Sequence, residues 1–587
     1  MDRDLLFGSA HSIGVQPLPE YPRPQLVRDR WLNLNGSWQY AITKKDAKEP
    51  ATYTGTIVVP YPLESELSGV KGVLLPEQCL WYRREFEPPA FNPGERVLLH
   101  FGAVDFESTV QVNGLSIGRH AGGYEAFSFD ITSSLIDGQN ELLIEVWDPT
   151  ERGPNPHGKQ MLEAREIFYT ATSGIWQTVW LEVVPEHYIR SLAMTPNVDH
   201  ETLMIAVDSE DCVGCSVEVQ CGAWFVHGAP NEVLSLGIPG PRLWSLHDPH
   251  LYDLEVRLMR NGSAVDVVRS YFGMRKVEIR KDANSKERIY VNNQYTYNLG
   301  ILDQGFWPKS LYTAPDDAAL RADIETIKAM GFNTIRKHMK IEPERWYYHC
   351  DQVGIMVWQD IVPPGGALKA LLEPGYQPDE KARTQFEIEL EEGLAQLRSH
   401  PSITTWVLFN EGWGDFDQDR LTSLVKTRDP SRLVNSHSGA VALTDGNTVL
   451  IVGVSSKSSD MIDLHSYPEP AILKPRGVPG ALVLGEFGGV RVHIKDHEWN
   501  GSAPAPGYER VDVEAFPKRY ASMIDSLRTL EAAGLTASIY TQAFDVEGEQ
   551  NGLITYDRMV PKFSIEEIER LNTSFLAATV AVTSSRP

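Results

Sequence analysis

Cysteine is scarce in this chain: 5 residues in 587, too few for a disulfide framework to hold a protein of this length together. Cys212 and Cys215, with Cys221 and His227 downstream, have the Cys-x-x-Cys spacing of a zinc site. However, Cys215, Val217, Val219 and Cys221 alternate with Ser216, Glu218 and Gln220 as the two faces of one strand. Buried apolar thiols are the expected reading, with a metal or a disulfide as the alternatives. Positive charge is also short: Lys and Arg total 54 against 79 Asp and Glu, a formal net charge of -25. Such a balance argues against nucleic acid and against an anionic membrane surface as partners. No apolar run approaches the roughly 18 residues of a membrane span. The first twenty residues lack a basic segment leading into an apolar core, so a cytoplasmic protein is the expectation.

Several familiar site signatures are missing too. There is no strand-linked G-x-G-x-x-G and no H-E-x-x-H. The nearest approach to a phosphate loop, Gly153 to Lys159, is broken by prolines and followed by Gln160 instead of Ser or Thr. A literal G-x-S-x-G at Gly114 to Gly118 follows an Asn-Gly turn among short strands and opens no helix, so Ser116 reads as a hairpin residue.

What is present falls into three textures. Residues 1–185 show short alternating runs, such as Glu95 to Phe101 and Asn140 to Trp147, with turn signals at Asn113-Gly114 and Asp137-Gly138. They predict a jelly-roll sandwich. Its segment Arg152 to Lys159, RGPNPHGK, is long enough to reach outside its own domain. Residues 186–280 carry a further set of short strands and fit an immunoglobulin-like β-sandwich. From 281 to 587 strands alternate with amphipathic helices, and eight candidate strands can be counted, from Tyr295 to Asp303 through Ala537 to Asp545. That count over roughly 300 residues predicts a (β/α)8 TIM barrel.

Two of those strands end in a glutamate. Ile403 to Phe409 is a β-branched apolar run that stops at Asn410-Glu411, and Ala481 to Gly489 contains Glu486 between glycines. In this barrel class, chemistry sits at the C-terminal ends of the strands. Glu411 closes the fourth strand and Glu486 the seventh, so both face one mouth from opposite sides. Two carboxyls about a single bond are what glycosidic cleavage requires, one to protonate the leaving oxygen and one to attack or to activate water. Further polar groups stand at strand ends: Asp303, Arg336, His338, Asp360, His437, His465, Tyr467, Gln542 and Asp545. They suit a ligand rich in hydroxyls. Trp413 and Trp307, just past strand ends, are candidates for a stacking platform or for plain packing.

The segments WLNLNGSWQY (31–40), YTATSGIWQTVWLE (169–182), FGMRKVEI (272–279), FNEGWG (409–414), GEFGG (485–489) and YTQAFDVEGEQNGLITYDR (540–558) together resemble glycoside hydrolase family 2. That family contains β-galactosidases, β-glucuronidases and β-mannosidases, and the likeness runs through nearly the whole chain in order. It implies a retaining, exo-acting hydrolase of a carbohydrate substrate with Glu411 as acid/base and Glu486 as nucleophile. It also implies Asn410 on the sugar 2-hydroxyl, Tyr467 steadying Glu486 and often a homo-oligomer; the chemistry itself needs no cofactor and no metal, and the chain lacks the recognisable magnesium and sodium site segments of the largest β-galactosidases. The Asn-x-Lys element that reads the carboxylate in β-glucuronidases is missing from the barrel mouth; the one such triplet, Asn284 to Lys286, precedes the first barrel strand. A neutral β-glycoside is therefore expected, a β-galactoside first, with a β-galactofuranoside or arabinoside as competitor. A carbohydrate-binding protein without turnover is the reading from another class, and the presence of both glutamates speaks against it.

Overall fold

The computed structural model describes residues 16–209, 212–365, 376–439, 441–444, 449–452, 455–472, 479–499 and 507–584. Its first unit is a β-sandwich. A six-stranded sheet orders Gly55–Val59, Gly36–Lys44, Gln78–Phe86, Asn140–Trp147, Glu107–Val112 and Leu115–Ala121; it faces a four-stranded sheet of Trp31–Asn33, Val179–Pro185, Glu95–Phe101 and Phe127–Asp130. Inward residues such as Val110, Ile144 and Leu99 are fully buried between the sheets. The last two strands of the larger sheet meet at Asn113-Gly114, both at positive φ (51° and 73°), the geometry of a tight hairpin turn. Ser116 lies in that hairpin.

The second unit packs a three-stranded sheet (Ile189–Asn197, Thr202–Ser209, Val233–Gly237) on a four-stranded one (Trp224–Gly228, Cys215–Cys221, Tyr252–Arg260, Ser263–Phe272). Thr202–Ser209 alternates buried and half-buried residues along its length, as a sandwich strand must. Here the expectation for the cysteines is corrected. Cys212 and Cys215 are joined in a disulfide across the turn at Val213-Gly214, their Cα atoms 5.4 Å apart, whereas Cys221 is the buried free thiol that was expected. A tight turn brings the first pair within bridging range. His227 lies exposed on the next strand.

The third unit is the barrel. Its strands are β1 (Asn298–Asp303), β2 (Thr334–Lys337), β3 (Met356–Asp360), β4 (Ile403–Val407), β5 (Leu433–Asn435), β6 (Met461–Tyr467), β7 (Ala481–Gly488) and β8 (Leu535–Thr541). Neighbours pair in parallel from β5 back to β1, then through β8 and β7 to β6. Every residue of β3, β4 and β7 is buried, which accounts for their largely apolar texture. Between them run helices such as Asp317–Ala329, capped by Asp316 accepting from the Ala319 N–H, and Glu380–Leu397, capped in the same way by Asp379.

Two details depart from the expected strands. Tyr295 belongs to a small sheet (Val277–Lys281, Glu287–Val291, Gln294–Tyr295) that precedes β1, and Val277, Ile289 and Val291 pack against barrel residues Leu302, Met356 and Val483. At the β5–β6 seam no ladder is formed among the described residues. Isolated bonds bridge it instead: Asn435 Nδ2 donates to Asp463 Oδ2 (2.6 Å), the Val434 N–H donates to Asp460 Oδ2 (2.8 Å) and the Asp460 N–H donates to the Val434 carbonyl (2.9 Å). The edge of β6 away from β7 pairs, over Leu464 to Tyr467, with an antiparallel hairpin, Val441–Thr444 and Val449–Val452, that no sequence pattern had announced.

The jelly-roll loop does leave its domain. A Cβ placed on Gly158 would stand 2.9 Å from the Met339 carbonyl, and Met161 and Phe168 pack with Met339 and Trp413 at the barrel mouth. No helix among the described residues is long and apolar enough to cross a membrane.

Candidate active site

The site forms where β4, β6 and β7 end. Beyond Val407 the chain leaves the ladder but stays bonded to the segment after β5: the Ser438 N–H donates to the Phe409 carbonyl and the Glu411 N–H to the Ser438 carbonyl (2.7 Å). Glu411 itself adopts φ 50° and Gly412 φ 77°. A non-glycine residue in this left-handed region costs on the order of 1 kcal/mol, a strain that recurs where a side chain must be aimed. The neighbouring His437 ring holds the turn, its Nε2 accepting from the Gly412 N–H at 3.1 Å. Burial, then the charge of His465, push His437 down to about 3, so it stays a neutral acceptor.

Glu486 comes from β7, where a register shift opposes His465 to Glu486. Gly485 before it admits no side chain, because a Cβ would lie 2.3 Å from the Asp463 carboxylate and 2.4 Å from Ser438 Oγ. The Glu486 carboxylate is 7% exposed. It accepts from Arg336 Nη1 (3.2 Å) and from the Tyr467 hydroxyl, which also meets Thr541 Oγ1 at 3.1 Å. Burial alone would raise its pKa. The His465 charge, then Arg336 and His338, and the Tyr467 bond outweigh burial and hold it down to about 2.

His465 stands between the two glutamates. Its Nδ1 donates to Glu411 Oε1 at 2.8 Å and lies 3.7 Å from Glu486 Oε2, while Nε2 shares a 2.8 Å bond with Ser438 Oγ. Burial disfavours the charged ring, but the Glu486 charge and the Glu411 bond raise its pKa above the ordinary histidine value. The donor atoms of Glu411, His465 and Glu486 all lie within 4.8 Å of one another. Three such donors could serve a metal; both imidazole nitrogens, however, are already engaged.

Arg336, fully buried, ties the site together. It forks onto Asp360 (Nε to Oδ1 and Nη2 to Oδ2, both 3.0 Å) and donates to Asn410 Oδ1 at 2.7 Å as well as to Glu486. Asp360 in turn accepts from His338 Nδ1 at 2.7 Å. Burial favours the uncharged guanidine, yet Asp360 and Glu486 raise the Arg336 pKa further.

Of the residues singled out in the sequence, Glu411, Glu486, Asn410, His338, Asp360, His465 and Tyr467 thus converge on one bonded network. Two do not. The Asp303 carboxylate bonds Lys337 Nζ, which also meets Glu342 Oε1 at 2.8 Å in a separate ion-pair cluster. Lys337 alternates with Arg336 along β2, so its side chain leaves on the other face, over the Trp346 ring. Trp413 is 2% exposed, its ring 6.1 Å from that of Phe168, which makes it packing under the jelly-roll domain and not an open platform. Trp307 is likewise packed, beneath Arg558. Ser438, Asp463 and Tyr508 escaped the sequence reading. Ser438 stands inside the predicted fifth strand beside His437 and could have been found by its position, whereas Tyr508 lies on an irregular segment with no periodic signal.

A three-domain chain with a barrel mouth built around a half-buried and a buried carboxyl belongs to a recognisable class, and the comparisons with known proteins name it. Three models of one family match in chain order: the galactose-binding domain-like region at residues 64–174, the family 2 sandwich at 188–275 and the family 2 TIM barrel at 284–475. Together these cover more than half the sequence, and the chain belongs to the glycosyl hydrolases family 2. A putative beta-glucuronidase from Formosa agariphila is 27% identical over 384 residues, 60% of this chain and 44% of the relative. A beta-galactosidase from Thermoanaerobacter pseudethanolicus is 26% identical over 362 residues, 57% and 45% of the two chains. The chain thus spans less than half the length of these curated relatives. Among solved structures, an uncultured Clostridium sp. beta-glucuronidase superposes with TM-score 0.73 at 18% identity, over 94% of this chain and 99% of the other. A beta-galacturonidase from Eisenbergiella tayi superposes with TM-score 0.70 at 18% identity, over 94% and 99%. At that identity the likeness establishes the fold.

Proposed function

We propose that the protein is a retaining, exo-acting glycoside hydrolase that releases a terminal, neutral, β-linked sugar, a β-galactoside in the first instance. The observation that carries this reading is the pair itself: an oxygen of Glu411 and one of Glu486 lie within 4.8 Å, with His465 bonded to Glu411 and 3.7 Å from Glu486. Carboxyls about 5 to 5.5 Å apart accompany retention, and inversion needs about 6.5 to 9.5 Å to admit a water.

The two glutamates divide the work by environment. Glu486, held ionised by His465 and Arg336, attacks the anomeric carbon while Glu411 gives its proton to the leaving oxygen, and a glycosyl–Glu486 ester forms. Glu411, now a carboxylate, takes a proton from water; the water attacks the same carbon, releasing the sugar with its configuration retained and Glu486 as carboxylate. Asn410, oriented by Arg336, presents its amide to the sugar 2-hydroxyl. The relatives' names divide between β-galactosidase and β-glucuronidase. In favour of a neutral sugar, Arg336 is committed to Asp360 and Glu486 and Lys562 to Asp545 at 2.7 Å, so neither of these two cations is free for a uronate. Hydrolysis of a panel of 4-nitrophenyl pyranosides and furanosides in both anomers tests the substrate class, and the NMR-detected anomer of the first product tests retention. An inverted first product, or release from α-anomers only, would defeat the proposal.

A further inference from the structure

The Gly- and Pro-rich segment Arg152 to Lys159 has so far only been placed at the barrel mouth, yet it ends in a lysine whose bonding is incomplete. Lys159 is 7% exposed, and a lysine so buried is ordinarily well paired. Among the described residues its ammonium has one carboxylate partner, Glu549 Oε2 at 3.5 Å, and the face of Tyr169 at 5.5 Å. Neither is a hydrogen bond of ordinary length. Other buried lysines contrast with it: Lys340 donates to the Gly305 and Tyr312 carbonyls at 2.7 Å and to Glu342 at 2.9 Å, and Lys562 donates to Asp545 at 2.7 Å and the Gln550 carbonyl at 2.9 Å. Nor does Glu549 depend on Lys159, since it already accepts from the Tyr169 and Tyr508 hydroxyls and from Asn551 Nδ2.

The position of this ammonium is what gives the shortfall meaning. The preceding Gly158 presses on Met339, the residue after His338. On the other side of Glu549, the Tyr508 ring lies 5.6 Å from that of Tyr467, whose hydroxyl holds Glu486. His338, lowered first by burial, also feels the Lys159 charge. An ammonium on a nearly buried side chain with unmet donors, beside a site for a polyhydroxylated ligand, calls for an oxygen acceptor from that ligand.

We infer that Lys159 binds the substrate: carried in from the jelly-roll domain, it donates to an oxygen of the terminal sugar held between Glu411 and Glu486, so that two domains build one active site. The inference rests on the glycosidase reading above. The acceptor is a hydroxyl if the sugar is neutral and a carboxylate oxygen if it is a uronic acid.

The test uses the full-length chain and compares wild type with Lys159→Met, Lys159→Gln and Lys159→Met/Glu549→Gln. The probes are 4-nitrophenyl β-D-galactopyranoside, 4-nitrophenyl β-D-glucuronide and the best substrate of the aryl-glycoside panel. Thermal melting confirms that each variant folds. The expected result is a kcat/KM lowered roughly ten- to hundredfold in Lys159→Met, as for a lost charged hydrogen bond, with Lys159→Gln intermediate and the double variant equally impaired. Wild-type kinetics in Lys159→Met or Lys159→Gln would overturn the inference. Recovery in the double variant would also overturn it, because Lys159 would then merely balance Glu549. A loss confined to the glucuronide would uphold Lys159 as a sugar contact and refute the neutral-sugar reading. A wild type that hydrolyses no glycoside would remove that reading, and the inference with it.

Discussion

His465 donates to Glu411 across 2.8 Å while its ring nitrogen stands 3.7 Å from Glu486, so one imidazole is shared by both carboxyls of the pair. A cation between two acids lets them approach without the repulsion that two bare carboxylates would suffer. His465→Phe leaves that repulsion uncompensated. It is expected to lower kcat by about 100-fold or more and to move the acid limb of the pH–rate profile upward, since the cation that does most to keep Glu486 ionised is gone. An unchanged acid limb would show that His465 does not set the Glu486 ionisation.

Glu486→Gln removes the nucleophile but keeps its volume. Turnover should fall by about 10⁴-fold or more, the scale seen when a covalent catalyst is lost. Sugar affinity, measured by calorimetry, should persist. A rate within tenfold of wild type would reassign the nucleophile.

Tyr467→Phe deletes only the hydroxyl that donates to Glu486. A hydrogen bond to a charged group contributes about 1.5–3 kcal/mol, so kcat should drop roughly ten- to hundredfold with little change in melting temperature. A loss of stability without a loss of rate would mean that the hydroxyl is structural.

Arg336 is fully buried and serves Asp360, Asn410 and Glu486 at once. Arg336→Met strands two buried carboxylates, and breaking such a network costs about 3–5 kcal/mol. Arg336→Lys keeps the charge but not the fork. Both should melt lower than wild type, Arg336→Met the more so, and chemical denaturation would measure it.

The stability of the fold carries a signature of the same network. Glu486 has a folded pKa of about 2 against 4.5 for an unperturbed glutamate. Its contribution is therefore present above pH 4.5 and lost as pH falls from 4.5 toward 2. His465 is raised, so its contribution is full below pH 6.5 and lost as pH rises through its folded value. Melting curves of wild type and Glu486→Gln should converge between pH 4.5 and 2, and parallel curves there would contradict the ionised Glu486.

Much of this was legible without coordinates. Alternation at period 2, turn dipeptides such as Asn113-Gly114 and buried β-branched runs are local patterns, so two sandwiches and a barrel could be read from them. The same applies to the glutamates: Glu411 and Glu486 end apolar strands, and barrel topology places strand ends at one mouth. Boundaries were less legible, because the fourth strand leaves its ladder at Val407 only when Ser438 arrives to bond Phe409 and Glu411. The sequence also could not say that the Asp303 carboxylate leaves its strand away from the glutamate pair, or that Trp413 is roofed by Phe168 from another domain. Those outcomes depend on which groups meet across hundreds of residues. Charge pairing and burial are properties of neighbours in space, so only the tertiary structure decided that Arg336, His465 and Tyr467 would converge on Glu486 and that Lys159 would be delivered to the same mouth.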